Sequence, residues 1–329
     1  MKIAVFSTKP YDRRSLQAAD GAHLHEWTWI EERLDAQSAP QAKNHEAVCA
    51  FVNDLLDRKT LETLAQNGTK FIALRCAGFD KVDLQVAREL NMEVGRVPAY
   101  SPHAVAEHAV ALLLTLNRRI READARVHRF NFALEGLLGF DLYGKTVGVV
   151  GTGKIGLCFI RIMLGFGCRV LCFDPFPSPE LAHLDAHLVE LPELFEQSDI
   201  VSLHCPLSPQ THHLLNAQTL ASMKRGAFLI NTSRGGLIDT SAAIKALESG
   251  QLGALGIDVY ENEGPLFFED RSQSPRTDEE FSRLISLSNV LVTGHQAFFT
   301  REALDNIAQT TLANLNGWQT SGSCPNPVV

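Results

Sequence analysis

Three ionisable residues in the second half of the chain, Arg234, Glu263 and His295, are of the types that grip a carboxylate, orient an imidazole and transfer a proton. Arginine carries a planar donor fork that holds a carboxylate through two parallel hydrogen bonds and so fixes the carbon next to it. Histidine titrates near neutrality and can hand a proton to a carbonyl oxygen. A carboxylate against an imidazole favours its charged, proton-carrying form. Each residue alone has a plainer reading: a surface arginine, a solvated loop charge in Glu261-Asn262-Glu263, a satisfied turn histidine. Position is what joins them. Each follows a short apolar run, at 228–231, 255–260 and 290–293, and in a doubly wound sheet ligands bind at the carboxyl ends of the strands.

A second constellation complements the first. Gly151-Thr152-Gly153-Lys154-Ile155-Gly156 stands between the β-branched run 146–150 and the apolar run 157–160, and a further run, 169–173, ends in Asp174. That strand, glycine turn, helix and acid, the acid roughly 20 residues on, is the dinucleotide-binding fingerprint. Gly151 permits the tight turn, Gly153 lets the backbone approach a pyrophosphate, and Gly156 lets the helix pack close while its N-terminal amides face the anion. Asp174 can accept from the ribose hydroxyls and would repel a 2′-phosphate, which favours NAD over NADP. A glycine-containing turn with a surface aspartate is the bland alternative. Taken together, the two groups predict hydride transfer between a nicotinamide cofactor and a carbonyl beside a carboxylate.

The elements that must position these residues follow βαβ grammar. Strands are predicted at 3–6, 47–52, 71–76 and 92–97, with helices around 54–66 and 83–90. A long helix is predicted over 103–127, apolar around most of its circumference from Ala104 to Leu116, which suggests burial between domains or subunits. Six more strands follow, at 146–150, 169–173, 200–203, 227–231, 253–257 and 290–293. The last helix, near 301–318, has no partner left in that second sheet and is expected to cross back to the first domain. The expected fold is therefore α/β with two doubly wound domains, a Rossmann dinucleotide-binding domain (101–298) inserted into a discontinuous flavodoxin-like substrate domain (1–100 and 299–329). The polar stretch 271–280 is expected to be a surface insertion.

Bulk properties narrow the function classes. The 329 residues are 45% hydrophobic and 21% charged with a formal net charge of -8, the balance of an ordinary globular protein, and no basic stripe suggests nucleic acid. Seven cysteines, odd in number and without C-x-x-C spacing, predict free thiols in a reducing compartment. The apolar run before Ser7 is too short for a signal peptide and no stretch is long enough to span a bilayer, so a cytoplasmic protein without membrane partners is expected. His204, His212, His213 and the pair His23 and His25 are not read as metal ligands, because no carboxylate or thiol recurs beside them at ligand spacing.

The chain resembles the D-2-hydroxyacid dehydrogenase family over nearly its whole length. The likeness rests on the 151–156 loop, Asp174, the segment Val201-Ser202-Leu203-His204-Cys205-Pro206-Leu207, the segment Asn231 to Asp239, and Gly256-Ile257-Asp258-Val259-Tyr260-Glu261. Arg75 to Asp80, Val97 to Pro102, Leu266 to Asp270 and Gly294 to Thr300 are of the fermentative D-lactate type. The resemblance implies Arg234 as carboxylate anchor, His295 as acid/base and Glu263 as its partner. It adds Ala77 and Gly78, whose amides would face the substrate carboxylate, and Tyr100 near the same end. Lys154, Ile155, Cys205, Pro206, Thr211, Thr232 and Asp258 would line NAD, and Phe298 and Phe299 would form an apolar wall suited to the methyl of pyruvate. It also implies association as a homo-oligomer, dimer or tetramer. Gly294 departs from the proline that many relatives carry before the histidine. Two other readings stay open: a relative acting on a bulkier 2-oxo acid, and an NAD(H)-sensing binding protein, against which the complete Arg234, Glu263 and His295 set argues.

Overall fold

Short apolar runs alternating with amphipathic segments build two parallel sheets, one in each of two units, Met1–Ser101 with Phe299–Val329, and Pro102–Phe298. The structure, a computed structural model, describes residues 1–275 and 277–328; Arg276, inside the polar stretch 271–280, and Val329, the last residue of the expected substrate domain, lie outside the described residues.

The first unit runs β1 (Lys2–Val5), α1 (Pro10–Ala19), β2 (Glu26–Trp29), β3 (Ala47–Ala50), α2 (Arg58–Gln66), β4 (Phe71–Leu74), α3 (Leu84–Glu89) and β5 (Glu93–Gly95). Its strands pair in parallel in the order β2-β1-β3-β4-β5, the flavodoxin-like order. β3 and β4 are buried along their whole length, so they show unbroken apolar runs rather than alternation. Two elements go beyond the sequence expectation. Helix α1 has little apolar periodicity, burying only Asp12 and Leu16, and the legible signal is Pro10 in its first turn. Strand β2 is an edge with an exposed–intermediate alternation, and its Trp27 and Trp29 rings stack at 5.4 Å.

The second unit runs α4 (Pro102–Asn117), α5 (Ile120–Val127), β6 (Thr146–Val150), α6 (Lys154–Gly165), β7 (Arg169–Phe173), β8 (Ala186–Leu188), α7 (Leu191–Gln197), β9 (Ile200–Leu203), α8 (Ala217–Ser222), β10 (Ala227–Asn231), α9 (Thr240–Glu248), β11 (Leu252–Ile257), α10 (Glu279–Ser286) and β12 (Val290–Val292). The chain then returns to the first unit, where α11 (Arg301–Ser321) packs on α1 and β4. The second sheet has the order β12-β11-β10-β9-β6-β7-β8. Its direction of winding reverses between β6 and β9, the switch point of a Rossmann sheet. Leu229, Leu255 and Val201 pack into one core cluster while Val147, Val149 and Ile160 pack into another.

Three expectations need correcting here. The helix over 103–127 is two helices, because Arg119 is left-handed at φ 50° and the buried Asn117 side chain is captured by Phe140, donating to its carbonyl (2.7 Å) and accepting from its amide (2.9 Å). The apolar circumference of α4 is buried within its own unit, against α6, β10 and β11. Finally, the sheet has seven strands among the described residues: β8 is three residues long and mostly exposed, too short to carry a pattern.

Candidate active site

The three candidate catalytic side chains all leave carboxyl ends of the second sheet. Beyond β10, Asn231 closes the turn that carries Arg234: its Oδ1 accepts from the Ser233 amide (3.0 Å) and its Nδ2 donates to the Arg234 carbonyl (2.9 Å). The Ser233 hydroxyl ties this turn to the Cys205 carbonyl at 2.6 Å. Arg234 itself is half-buried. Gly235 then lies flat against the chain beyond β11, where a Cβ would stand 2.1 Å from the Tyr260 carbonyl carbon and 2.3 Å from the Glu261 nitrogen. Only glycine fits, and the two loops bearing Arg234 and Glu263 are thereby in backbone contact.

Glu263 and His295 form a direct pair. Nδ1 of His295 lies 2.7 Å from Oε1 of Glu263, with both side chains largely buried at 15% and 16% exposure. The other carboxylate oxygen accepts from the Tyr260 amide at 3.1 Å. With Nδ1 donating to the carboxylate, Nε2 is the ring atom that can carry a proton to a substrate. The Phe268 ring flanks the imidazole at 5.5 Å.

What aims His295 is a residue for which the resemblance implied only a place beside the cofactor. His295 is left-handed at φ 54°, a costly conformation for a side-chain-bearing residue that surrounding bonds must enforce. Asp258 enforces it. Its carbonyl accepts from the His295 amide at 2.7 Å, and its fully buried carboxylate accepts from the Thr293 hydroxyl (2.6 Å) and the amides of Gln296 (2.9 Å) and Ala297 (2.8 Å). His108 of α4 lies 3.5 Å from the same carboxylate and 2.9 Å from the Thr293 hydroxyl. Burial pushes this carboxyl upward, but its hydrogen bonds outweigh that and hold it below the ordinary range. Beside the cofactor-lining place that the resemblance implies for it, Asp258 is thus a clamp on the histidine loop. No local motif marks Thr293 and His108 as its partners, since the three meet only through the fold.

At the other end of the switch point the glycine loop has the shape of a dinucleotide cradle. Gly151 is left-handed at φ 99°, and a Cβ there would fall 2.7 Å from Cys205 N and His204 C. A Cβ on Gly156 would fall 2.0 Å from Gly151 O, whereas one on Gly153 would meet nothing within 4 Å. Gly151 and Gly156 are hemmed in by protein, and Gly153 borders open space at the start of α6. An approaching pyrophosphate would meet Gly153 and the helix amides there. Lys154 is exposed and Ile155 half-buried on the first turn. The buried Thr232 hydroxyl has no partner among the described residues.

Asp174 does more than the sequence suggested. One oxygen accepts from the Thr152 amide (2.7 Å) and hydroxyl (3.0 Å), the other from the Phe176 amide (2.9 Å). The same acid that faces a cleft of about 440 Å³, lined also by Leu188, Val189 and Glu190, pins the glycine turn. Thr211 closes its own loop, its hydroxyl donating to the Pro206 carbonyl at 2.7 Å. His204 is bonded to the Ser202 hydroxyl at 2.9 Å, and desolvation pushes its pKa down to about 3, so it is a neutral packing residue.

The remaining candidates divide between the units. In the first, described hydrogen bonds use the carbonyls of Ala77 and Gly78, from Arg96 (3.0 Å) and the Cys76 thiol (3.2 Å), rather than their amides. The strand end before them is rigid: buried Arg75 pairs with Asp12 at 3.2 Å and donates to the carbonyls of Phe6 (2.8 Å) and Ser7 (2.9 Å). The Tyr100 carbonyl accepts from Asn306 at 2.6 Å, and Phe299 meets Tyr11 edge-on at 4.7 Å. Phe298 is buried in the second unit.

Known proteins resemble the chain over its whole length. Residues 110–297 match a family model described as the D-isomer specific 2-hydroxyacid dehydrogenase, NAD binding domain. The whole chain is 53% identical over 329 residues to D-lactate dehydrogenase of Escherichia coli (strain K12), covering 100% of both. Among solved structures, the apo-structure of D-lactate dehydrogenase from Escherichia coli superposes with a TM-score of 0.90 at 51% identity, covering 100% of each chain. The NAD+-bound D-lactate dehydrogenase from Lactobacillus jensenii gives 0.82 at 32% identity, again over 100% of each.

Proposed function

Because the chain belongs to the D-isomer specific 2-hydroxyacid dehydrogenases, NAD-dependent oxidoreductases, we propose that it is a D-lactate dehydrogenase that reduces pyruvate. The observation that carries this reading is the Glu263–His295 pair, 2.7 Å apart at the strand ends that also carry Arg234. NADH, when bound at the glycine loop, supplies the hydride. Arg234 holds the pyruvate carboxylate by its fork, and the amides of Ala77 and Gly78 are further donors to it. Protonated His295 gives its Nε2 proton to the carbonyl oxygen, and Glu263, fixed by the Tyr260 amide, stabilises the charged ring before transfer. Phe298 and Phe299 wall the small substrate side chain, Tyr100 stands near the carboxylate end, Lys154, Ile155, Cys205, Pro206, Thr211, Thr232 and Asp258 line the dinucleotide, and no metal takes part in the hydride step.

The protein works as a homo-oligomer, a dimer or a tetramer, in the cytoplasm. Support for association comes from Phe130, Phe132, Leu134, Leu138 and Tyr143, which are 87, 68, 81, 91 and 81% exposed in one segment between α5 and β6, more apolar surface than scattered exposure accounts for. Support for a reducing compartment comes from the seven cysteines, all free and buried. No helix among the described residues is long and apolar enough to cross a membrane.

The test is NADH oxidation across pyruvate, 2-oxobutyrate, phenylpyruvate, hydroxypyruvate and 2-oxoisocaproate, with chiral analysis of the product. Highest kcat/KM on pyruvate with D-lactate formed is expected. Preference for a bulky acid replaces the substrate and keeps the mechanism, and NADH binding without turnover of any acid refutes the enzymatic reading in favour of a sensor.

A further inference from the structure

We propose that His212, His213 and Glu261 form a binding site for a divalent transition-metal ion of the zinc class, separate from the proton-transfer pair. Local spacing argued against metal because no carboxylate stands near the two histidines in sequence. The fold supplies one from 48 residues away. His213 Nε2 and Glu261 Oε1 are 2.5 Å apart, the His212 and His213 rings stack at 3.9 Å with 24° between their planes, and one ligand atom from each of the three lies within 4.8 Å of the others.

The donor set suits such an ion. Two imidazole nitrogens and one carboxylate oxygen are a three-ligand set that zinc accepts, a water completing the tetrahedron. Ligand atoms around a tetrahedral zinc stand about 3.3 Å apart, so the His213–Glu261 pair, at 2.5 Å, must open slightly, and His212, which is exposed, can rotate to bring its nitrogen in. The other two ligands are already held. The Thr240 hydroxyl donates to the second Glu261 oxygen at 3.3 Å, Asn216 donates to the His213 carbonyl at 3.0 Å, and the His213 amide donates to Gly236 O at 2.8 Å. Such outer bonds fix ligand orientation and raise affinity. Metal binding takes the Nε2 lone pair of His213, so the hydrogen bond to Glu261 gives way and the neutral ring carries its N–H on Nδ1.

The site adjoins both catalytic loops. Gly236 follows Arg234 by two residues and Glu261 precedes Glu263 by two, so an ion there braces the turn that presents each. That consequence for turnover rests on the reductase reading; the binding does not.

The experiment titrates chelator-stripped, untagged full-length protein with Co(II), reading its visible d–d absorption, and then displaces it with Zn(II). One equivalent is expected, with the intense bands of four- or five-coordinate cobalt and a rise in thermal midpoint with free zinc. His212→Phe keeps the ring stack and removes a ligand, and should weaken binding about tenfold or more; Glu261→Gln should do the same. Absence of the bands in the parent overturns the proposal, as do bands that survive unchanged in His212→Phe of native circular dichroism. Activity plays no part in either readout, so failure here is distinct from failure of the reductase reading.

Discussion

Gly235→Ala should lower activity by forcing apart the two loops that carry Arg234 and Glu263. The new Cβ would lie 2.1 Å from Tyr260 C, 2.3 Å from Tyr260 O and 2.3 Å from Glu261 N. Ordinary contact needs about 3.4 Å or more between such atoms, so a gap of roughly 1 Å must open. All three obstacles are backbone, and no rotamer change relieves them. The strain of such overpacking is about 1–3 kcal/mol, and the displacement falls on the loops that carry Arg234 and Glu263. A misplacement of about 1 Å lowers rate by about 10²-fold, or roughly 2.7 kcal/mol of transition-state stabilisation. Gly236→Ala is the internal control, since the atoms nearest its Cβ would be Leu207 methyl groups at 3.1 and 3.3 Å and the His212 ring at 3.7 Å. Those are mobile side-chain ends. Steady-state kcat/KM for pyruvate, with circular dichroism to verify folding, should separate the variants by more than tenfold. Equal activity of Gly235→Ala and the parent, or equal impairment of the two variants, would refute the argument from loop contact.

Asp258→Asn leaves at least one amide or hydroxyl donor facing an NH2 group and should lower stability by about 2–4 kcal/mol, or roughly 4–16 °C in Tm. Because the folded carboxyl sits below its ordinary range, its stabilisation is complete above the unfolded pKa near ~3.9 and is lost as pH falls through the folded value. The parent–variant gap in Tm should thus be constant above about pH 5 and close in acid; a gap that widens in acid contradicts the sign. Asp174→Ala removes the pin on Thr152 together with the ribose acceptor, so KM for NADH should rise about tenfold or more and preference over NADPH should shrink; an unchanged NADH KM counts against the cradle. Arg234→Lys replaces a fork with a point charge and should lower kcat/KM for pyruvate by about 10- to 100-fold, and kinetics equal to the parent would remove Arg234 from its role.

The sequence by itself determined the elements whose signals are local. The glycine turn from Gly151 to Gly156 needs only a strand before it and a helix after it, and buried strands such as β3, β4 and β6 announce themselves as unbroken apolar runs. Arg234, Glu263 and His295 were legible because strand ends can be counted along the chain. Short or half-exposed edges were not: β2 and β8 bury too little to impose a pattern, and the break at Arg119 depends on Asn117 meeting Phe140, 23 residues away. Tertiary structure alone decided which polar groups meet. Asp258 shows no sign in sequence of clamping Thr293, Gln296 and Ala297, nor Glu261 of reaching His213. A hydrogen bond depends on distances of a few tenths of an ångström between residues far apart in the chain, and those distances exist only once the sheet has set its strands side by side.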